Sequence, residues 1–157
     1  MENKISSGTF ESTLDEKGRV VIPAALRDHF MGKLVITHGE ELSVRVFTKD
    51  GYEKHLNDLK KDAPKLDYDQ KLAYKYLYQE NPQKAEIDSK TGRIPIPAYF
   101  RTYAKLSKDC LVLSIDGHLE IWDTGLFLEF LNNMRLIAKE ATRKRDSIDF
   151  YSTGEQS

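Results

Sequence analysis

The chain has 157 residues, enough for one domain or two small ones sharing a core. Its 24 Lys and Arg nearly balance 25 Asp and Glu, 31% of residues are charged, and the apolar 39% includes eight Tyr, seven Phe and one Trp. This composition excludes a fully disordered or collagen-like chain, no apolar run approaches the roughly 20 residues of a membrane span, and a lone cysteine, Cys110, excludes an internal disulfide or a multi-cysteine zinc site.

Met1 to Gly8 hold no apolar signal region, so a cytoplasmic protein is expected. A first strand leads into the tight loop Asp15-Glu16-Lys17-Gly18. In the next strand Val20 and Ile22 alternate with Arg19 and Val21, the period of a half-buried strand. Pro23 marks a helix start, where no N–H donor is needed, and Leu26 and Phe30 share one face of that short helix. Strands follow at Leu34–Thr37 and Val44–Thr48, then a helix-like segment. From Leu66 to Gln79 the pattern is helical, with Asp67 as N-cap and Asn81-Pro82 as the stop. The loop Asp88-Ser89-Lys90-Thr91-Gly92 precedes a strand containing Pro95, which points to an edge or a bulge. Pro97 opens a short helix with Phe100 and Ala104 on one face. Leu111–Ser114 and Leu119–Asp123 flank Asp116-Gly117, a hairpin signal. From Thr124 to about Arg145, Leu126, Phe130, Met134 and Ala138 recur at four-residue steps, an amphipathic helix. Beyond Asp146 the chain turns polar and is expected to fray.

These elements repeat. Gly18-Arg19-Val20-Val21-Ile22-Pro23-Ala24-Ala25-Leu26-Arg27 lies over Gly92-Arg93-Ile94-Pro95-Ile96-Pro97-Ala98-Tyr99-Phe100-Arg101 at a constant offset of 74, and an Asp precedes each Gly. The second loop is one residue longer. Leu34–Thr37 aligns with Leu111–Ser114, and Val44–Thr48 with Leu119–Asp123. The expected organisation is a first module at 8–62, a linking helix at 63–83, a second module at 84–146 and a polar tail at 147–157. Two copies suit a pseudo-twofold pair rather than a solenoid.

The loops carry the candidate chemistry. Arg19 points outward if Val20 and Ile22 point in, and a guanidinium can bond phosphate or a guanine edge bidentately. Lys17 and Lys90 suit phosphate as point charges. Asp15 and Asp88 are expected to hold the turns, Gly18 and Gly92 to supply backbone freedom, and Arg27 and Arg101 to pair structurally with Asp15 or Asp88. Residues 84–108 carry a balance of +4, while residues 1–33 balance to zero. Solvated strand ends are the plain alternative for Arg19 and Arg93; their duplication favours DNA contact. The four histidines (29, 38, 55, 118) have no metal-ligand spacing and are expected in solvent, and Cys110 reads as a core thiol. Tyr68, Tyr74, Tyr76 and Tyr78 suit packing or a subunit interface better than base stacking. Arg135, Lys139, Arg143, Lys144 and Arg145 make a basic, solvated face on the last helix.

The paired motifs, Asp15 to Arg19 with Ile22-Pro23 and Arg27, and Asp88 to Arg93 with Ile96-Pro97 and Arg101, resemble the MraZ family of bacterial transcriptional regulators with tandem SpoVT-AbrB modules. Asp15 and Arg19 match its Asp-x-x-x-Arg signature; Asp88 and Arg93 depart from it by one insertion. The resemblance spans about Gly8 to Arg143. It implies an α+β fold, a tandem AbrB-like swapped-hairpin β-barrel with flanking helices. It also implies a ring-shaped homo-oligomer that binds short direct repeats of double-stranded DNA upstream of the division and cell-wall operon, hence a nucleoid-associated protein. DNA contacts are then expected from Lys17, Arg19, Lys90 and Arg93. The competing reading is an antitoxin-like or scaffolding AbrB-type module without nucleic acid. No nucleophile elbow, Ser-His-Asp set, phosphate-cradling loop or metal cluster is evident, so neither catalysis, cofactor, metal, membrane contact nor small-molecule substrate is expected.

Overall fold

The computed structural model describes the backbone of residues 8–79 and 82–155. The expected helix stop at Asn81 lies outside the described residues. The chain divides into two compact units, residues 1–124 and 125–157.

The elements run β1 (Gly8–Thr13), β2 (Arg19–Val21), α1 (Ala24–Arg27), β3 (Lys33–His38), β4 (Val44–Thr48), α2 (Lys49–Asp62), a 3-10 turn (Ala63–Lys65) and α3 (Tyr68–Tyr74). A π-helical turn (Lys75–Gln79) extends α3. Then follow β5 (Gln83–Glu86), β6 (Arg93–Pro95), α4 (Ala98–Tyr103), β7 (Asp109–Ile115), β8 (His118–Asp123) and α5 (Thr124–Glu155).

Six strands form one antiparallel sheet in the order β1-β7-β8-β4-β3-β5, and β2 pairs with β6 in a separate ribbon. Because β1–β4 repeat as β5–β8, the order reads the same from either edge. The modules exchange strands: β1 pairs with β7 of the second module, β5 with β3 of the first, and β2 with β6. Neither module therefore has a sheet of its own. No pairing joins the edge strands β1 and β5 among the described residues, so the hydrogen-bonded sheet is open.

Equivalent positions from both copies fill one core. Val20 and Ile94, Ile22 and Ile96, Leu26 and Phe100, Phe30 and Ala104 are all buried in a single cluster. The last two pairs differ in size between copies, Leu26 against Phe100 and Phe30 against Ala104, within that shared core. Each buried aliphatic or aromatic side chain contributes about 1.5–3 kcal/mol.

Register corrects the alignment of the third strands. Ser12 faces Cys110 as Ala85 faces Leu34, and both Ser12 and Ala85 lie three residues before the loop aspartate. Leu34 thus corresponds to Cys110, not Leu111. The run Cys110-Leu111-Val112 is apolar throughout, so sequence matching alone accepts either register.

Local signals explain the element ends. Asp67 and Gln70 form a capping box at 2.8 and 3.0 Å. Thr48 caps α2 by accepting from Gly51 N at 3.0 Å. Asp116 and Gly117 take φ of 50° and 83°, the two left-handed residues of a type I′ hairpin. The helix expected over Leu66–Gln79 changes to π geometry after Tyr74, and the carbonyls of its last residues accept from side chains: Leu77 O meets His38 Nδ1 at 2.9 Å and Gln79 O meets Tyr52 Oη at 3.2 Å. Tyr74 and Tyr78 pack edge to face, while Tyr68 and Tyr76 are exposed. α5 runs to Glu155 rather than ending near Arg145, since no Gly or Pro falls between Gly125 in its first turn and Gly154. Its Leu128, Leu136, Ile137 and Ile148 are exposed, as are Arg135, Lys139, Arg143, Lys144 and Arg145.

The histidines do not share the solvent exposure expected of them. Only His29 is exposed, His55 is half-buried, and His38 and His118 are buried. His38 is satisfied at both ring nitrogens, by Leu77 O and by Tyr99 Oη at 2.8 Å. His55 stacks on Phe47, which also packs against His118. A buried, fully bonded imidazole leaves no sequence signature distinct from a surface one. Cys110 is a core thiol donating to Ser107 O, and burial pushes it up to about 11.

Candidate nucleic-acid interface

Both loops are closed by their aspartates. In the first, Gly18 N donates to Asp15 O at 3.0 Å and Asp15 N to Arg19 O at 2.9 Å. Asp15 Oδ1 accepts from Lys17 N at 3.0 Å and Arg19 N at 2.9 Å, and Oδ2 accepts from Arg19 Nε at 2.9 Å. In the second, Gly92 N donates to Asp88 O at 2.7 Å and Asp88 N to Arg93 O at 2.8 Å. The inserted residue thus converts a three-residue closure into a four-residue one without opening the loop. The cost is a change of partners: Asp88 Oδ1 accepts from Lys90 N at 2.8 Å and Thr91 N at 3.2 Å, and not from an arginine.

These bonds shift the carboxyls. The Arg19 N–H, against some desolvation and aided by the Arg19 side chain, holds Asp15 below the usual carboxylate range. The Lys90 and Thr91 N–H groups do the same for Asp88.

The β2–β6 ribbon sets the geometry between loops. Arg19 lies opposite Pro95, Val20 opposite Ile94 and Val21 opposite Arg93. Val20 and Ile94 face the core at 0% exposure, so Arg19 and Arg93 share the opposite face as diagonal neighbours. Pro95 fits because a two-stranded ribbon has only edge strands. The ribbon ends are cross-tied: Ile22 N donates to Gly92 O at 2.8 Å, and Ile96 N to Gly18 O at 2.9 Å.

Arg27 and Arg101 do not pair with Asp15 or Asp88. Arg27 Nε donates to Ile22 O at 2.7 Å and Arg101 Nε to Ile96 O at 3.0 Å. Among the described residues neither forms an ion pair within 4 Å. Their guanidiniums instead cross the pseudo-twofold. Arg27 occupies the space a Cβ would need at Gly92, and Arg101 lies 2.8 Å from where a Cβ of Gly18 would sit. Each loop glycine, with φ of +79° at Gly18 and +68° at Gly92, is roofed by the other module's arginine. The hydrogen-bond acceptors lie five residues upstream in the same module, whereas the glycine each guanidinium covers is brought there by the strand exchange and is invisible in one copy.

Lys17 and Lys90 are exposed. The Arg19 and Arg93 side chains are 30% and 33% exposed, and both turn toward Asp15, with Arg93 Nε 3.6 Å from Asp15 Oδ2. The two tips hold Lys17, Arg19, Lys90 and Arg93, with Arg27 and Arg101 beneath, against the carboxylates of Asp15, Glu16 and Asp88. The face is cationic, and its arginines sit on a two-stranded β-ribbon, an element of the kind a major groove admits. Among the described residues no group of three or more His, Cys, Asp or Glu is placed to hold a metal, and no helix is long and apolar enough to cross a membrane.

Comparison with known proteins agrees with the duplicated plan. The family model described as "MraZ protein, putative antitoxin-like" matches twice, over residues 5–72 and 80–147. A protein named "Transcriptional regulator MraZ" from Clavibacter michiganensis subsp. michiganensis (strain NCPPB 382) is 37% identical over 124 residues, 79% of this chain and 85% of that protein. Proteins of the same name from Thermoanaerobacter sp. (strain X514) and Treponema denticola are each 32% identical, over 142 and 145 residues; these cover 90% and 92% of this chain and 97% and 99% of theirs.

Proposed function

The chain belongs to the MraZ family and is a transcriptional regulator, and we propose that it binds double-stranded DNA in a sequence-specific way through the β2–β6 ribbon and its two loops. The observation that carries this reading is the placement of Arg19 and Arg93 on one outer face, flanked by exposed Lys17 and Lys90. In this reading the guanidiniums meet guanine edges or phosphates bidentately and the lysines meet phosphate. The target is a set of short direct repeats upstream of the division and cell-wall operon, reached on the nucleoid. The strand exchange supports reading residues 8–124 as a swapped-hairpin barrel of the AbrB type. Exposed Leu72, Tyr68 and Tyr76 support assembly of several copies into a ring, which would present many loops to a repeated site.

Titration of fluorescent duplexes tests the reading. Arg19→Ala and Arg93→Ala should each weaken binding to the repeats by about 5- to 150-fold, with little change on scrambled sequence. Lys17→Ala should weaken both alike and reduce the log–log salt slope by about one. Unchanged affinity in all three variants refutes the proposal and leaves a protein-binding, antitoxin-like role.

A further inference from the structure

We propose that Asp15 is the positioning residue for both recognition arginines: one carboxylate of the first module sets the pose of Arg19 and of Arg93, and Asp88 sets neither. The inference rests on the DNA-binding reading above and adds to it an asymmetry between the loops.

Asp15 is itself fixed. Oδ1 takes the N–H groups of Lys17 and Arg19, which locks the carboxylate plane to the loop. Oδ2 is thereby aimed at the ribbon face, where it accepts Arg19 Nε at 2.9 Å and lies 3.6 Å from Arg93 Nε. Arg93 Nε is buried and has no hydrogen-bond partner among the described residues, so this carboxylate is the anion it faces. Asp88 feels the Arg19 charge only from beyond 4 Å and accepts no hydrogen bond from either arginine among the described residues. The inserted residue makes its carboxylate bond Lys90 N and Thr91 N, and no cation side chain lies within 4 Å of it among the described residues. Arg93 therefore turns across the ribbon, where the register sets it diagonal to Arg19.

This pose has a chemical consequence. With the Nε edges directed at Asp15, the Nη groups of both arginines make no hydrogen bond among the described residues. Each guanidinium keeps two Nη donors for a paired acceptor. One carboxylate between two guanidiniums also offsets their mutual repulsion while leaving a net positive pair. Spacing fixed before binding spares the ordering cost that free arginines would incur on the duplex.

The experiment compares Asp15→Asn with Asp88→Asn in the full chain. The amide retains an oxygen for the loop N–H groups but loses the charge. Asp15→Asn should weaken binding to the repeat duplex by about tenfold or more, a coupling of ordinary size for a charged network. Binding to scrambled duplex should hold or tighten, since an anion has left the interface, so the specificity ratio falls. Asp88→Asn should leave that ratio within about twofold. By NMR, the Arg93 Nε–H resonance should move in Asp15→Asn and stay in Asp88→Asn, although Asp88 is in its own module. Should Asp15→Asn unfold, Asp15→Glu, which keeps the charge but displaces it by one methylene, must move the same resonance. An Arg93 resonance that ignores Asp15, or equal loss of specificity in both variants, overturns the proposal. If Arg19→Ala and Arg93→Ala also bind normally, the DNA reading itself has failed; if they lose binding while Asp15→Asn does not, only the positioning role has.

Discussion

Replacing Gly92 by Ala isolates the cross-module clasp. Two penalties apply. At φ +68° an L-residue is strained by about 1–2 kcal/mol. The new Cβ also overlaps the Arg27 guanidinium, which must move and give up its 2.7 Å bond to Ile22 O. A hydrogen bond from a charged donor is worth about 1.5–3 kcal/mol, so the whole cost is about 2.5–5 kcal/mol. Gly32 supplies the control. Its φ is +88° and a Cβ there meets nothing within 4 Å, so Gly32→Ala bears the strain alone, about 1–2 kcal/mol. Urea unfolding followed by the fluorescence of Trp122, the single tryptophan and 3% exposed, reads both variants at one fixed protein concentration. The decisive step is the cycle with Arg27→Ala. Without the guanidinium, Gly92→Ala should cost no more than Gly32→Ala, a coupling of about 1.5–3 kcal/mol between residues of different modules. Equal costs for the two glycines in the parent chain, or a Gly92→Ala cost indifferent to Arg27, would refute the clasp.

Two further outcomes follow from the polar cluster between β4, β8 and α2. Arg45 and Glu120 are pseudo-twofold mates that face each other across β4 and β8, with side chains 11% and 16% exposed. Arg45→Glu sets two carboxylates opposite one another and should cost about 3–5 kcal/mol by urea unfolding, whereas Arg45→Glu with Glu120→Arg should recover much of it; a double variant no better than the single one excludes the pairing. Burial, then the nearby charges of Arg45 and His118, hold His55 below the usual histidine value. The unfolded chain then binds a proton before the folded one does, so stability should fall as pH drops below about 6.5 and level off below the depressed folded value. His55→Gln should flatten that slope between pH 7.5 and 5.5, and an unchanged slope would assign it to another group.

Much of the plan was readable because it is local or duplicated. The alternation of Val20 and Ile22 with Arg19 required one solvent-facing arginine per loop, and Asp-Gly at 116–117 required a type I′ hairpin. The capping box at Asp67 and the loop-closing Asp15 and Asp88 are likewise contacts within a few residues. What local pattern misled were the partners of Arg27 and Arg101, the burial of His38 and His118, and the register of Leu34 against Cys110. The histidines and the glycines that Arg27 and Arg101 cover depend on surfaces supplied from 39 or more residues away, the two arginine hydrogen bonds on carbonyls five residues upstream that the charge pattern does not single out, and the register on which of two equally apolar alignments the neighbouring strand selects.

Duplication written in the residues themselves determined that there are two equivalent loops, each with an aspartate, a glycine and an outward arginine. Only the folded chain decided that each module lends its first strands to the other. That exchange follows from burial: the β2–β6 pairing across the pseudo-twofold sets Val20 and Ile94 side by side in one core, both fully buried. From it come the arginines roofed over foreign glycines and the single carboxylate between Arg19 and Arg93, contacts that no reading of one module could contain.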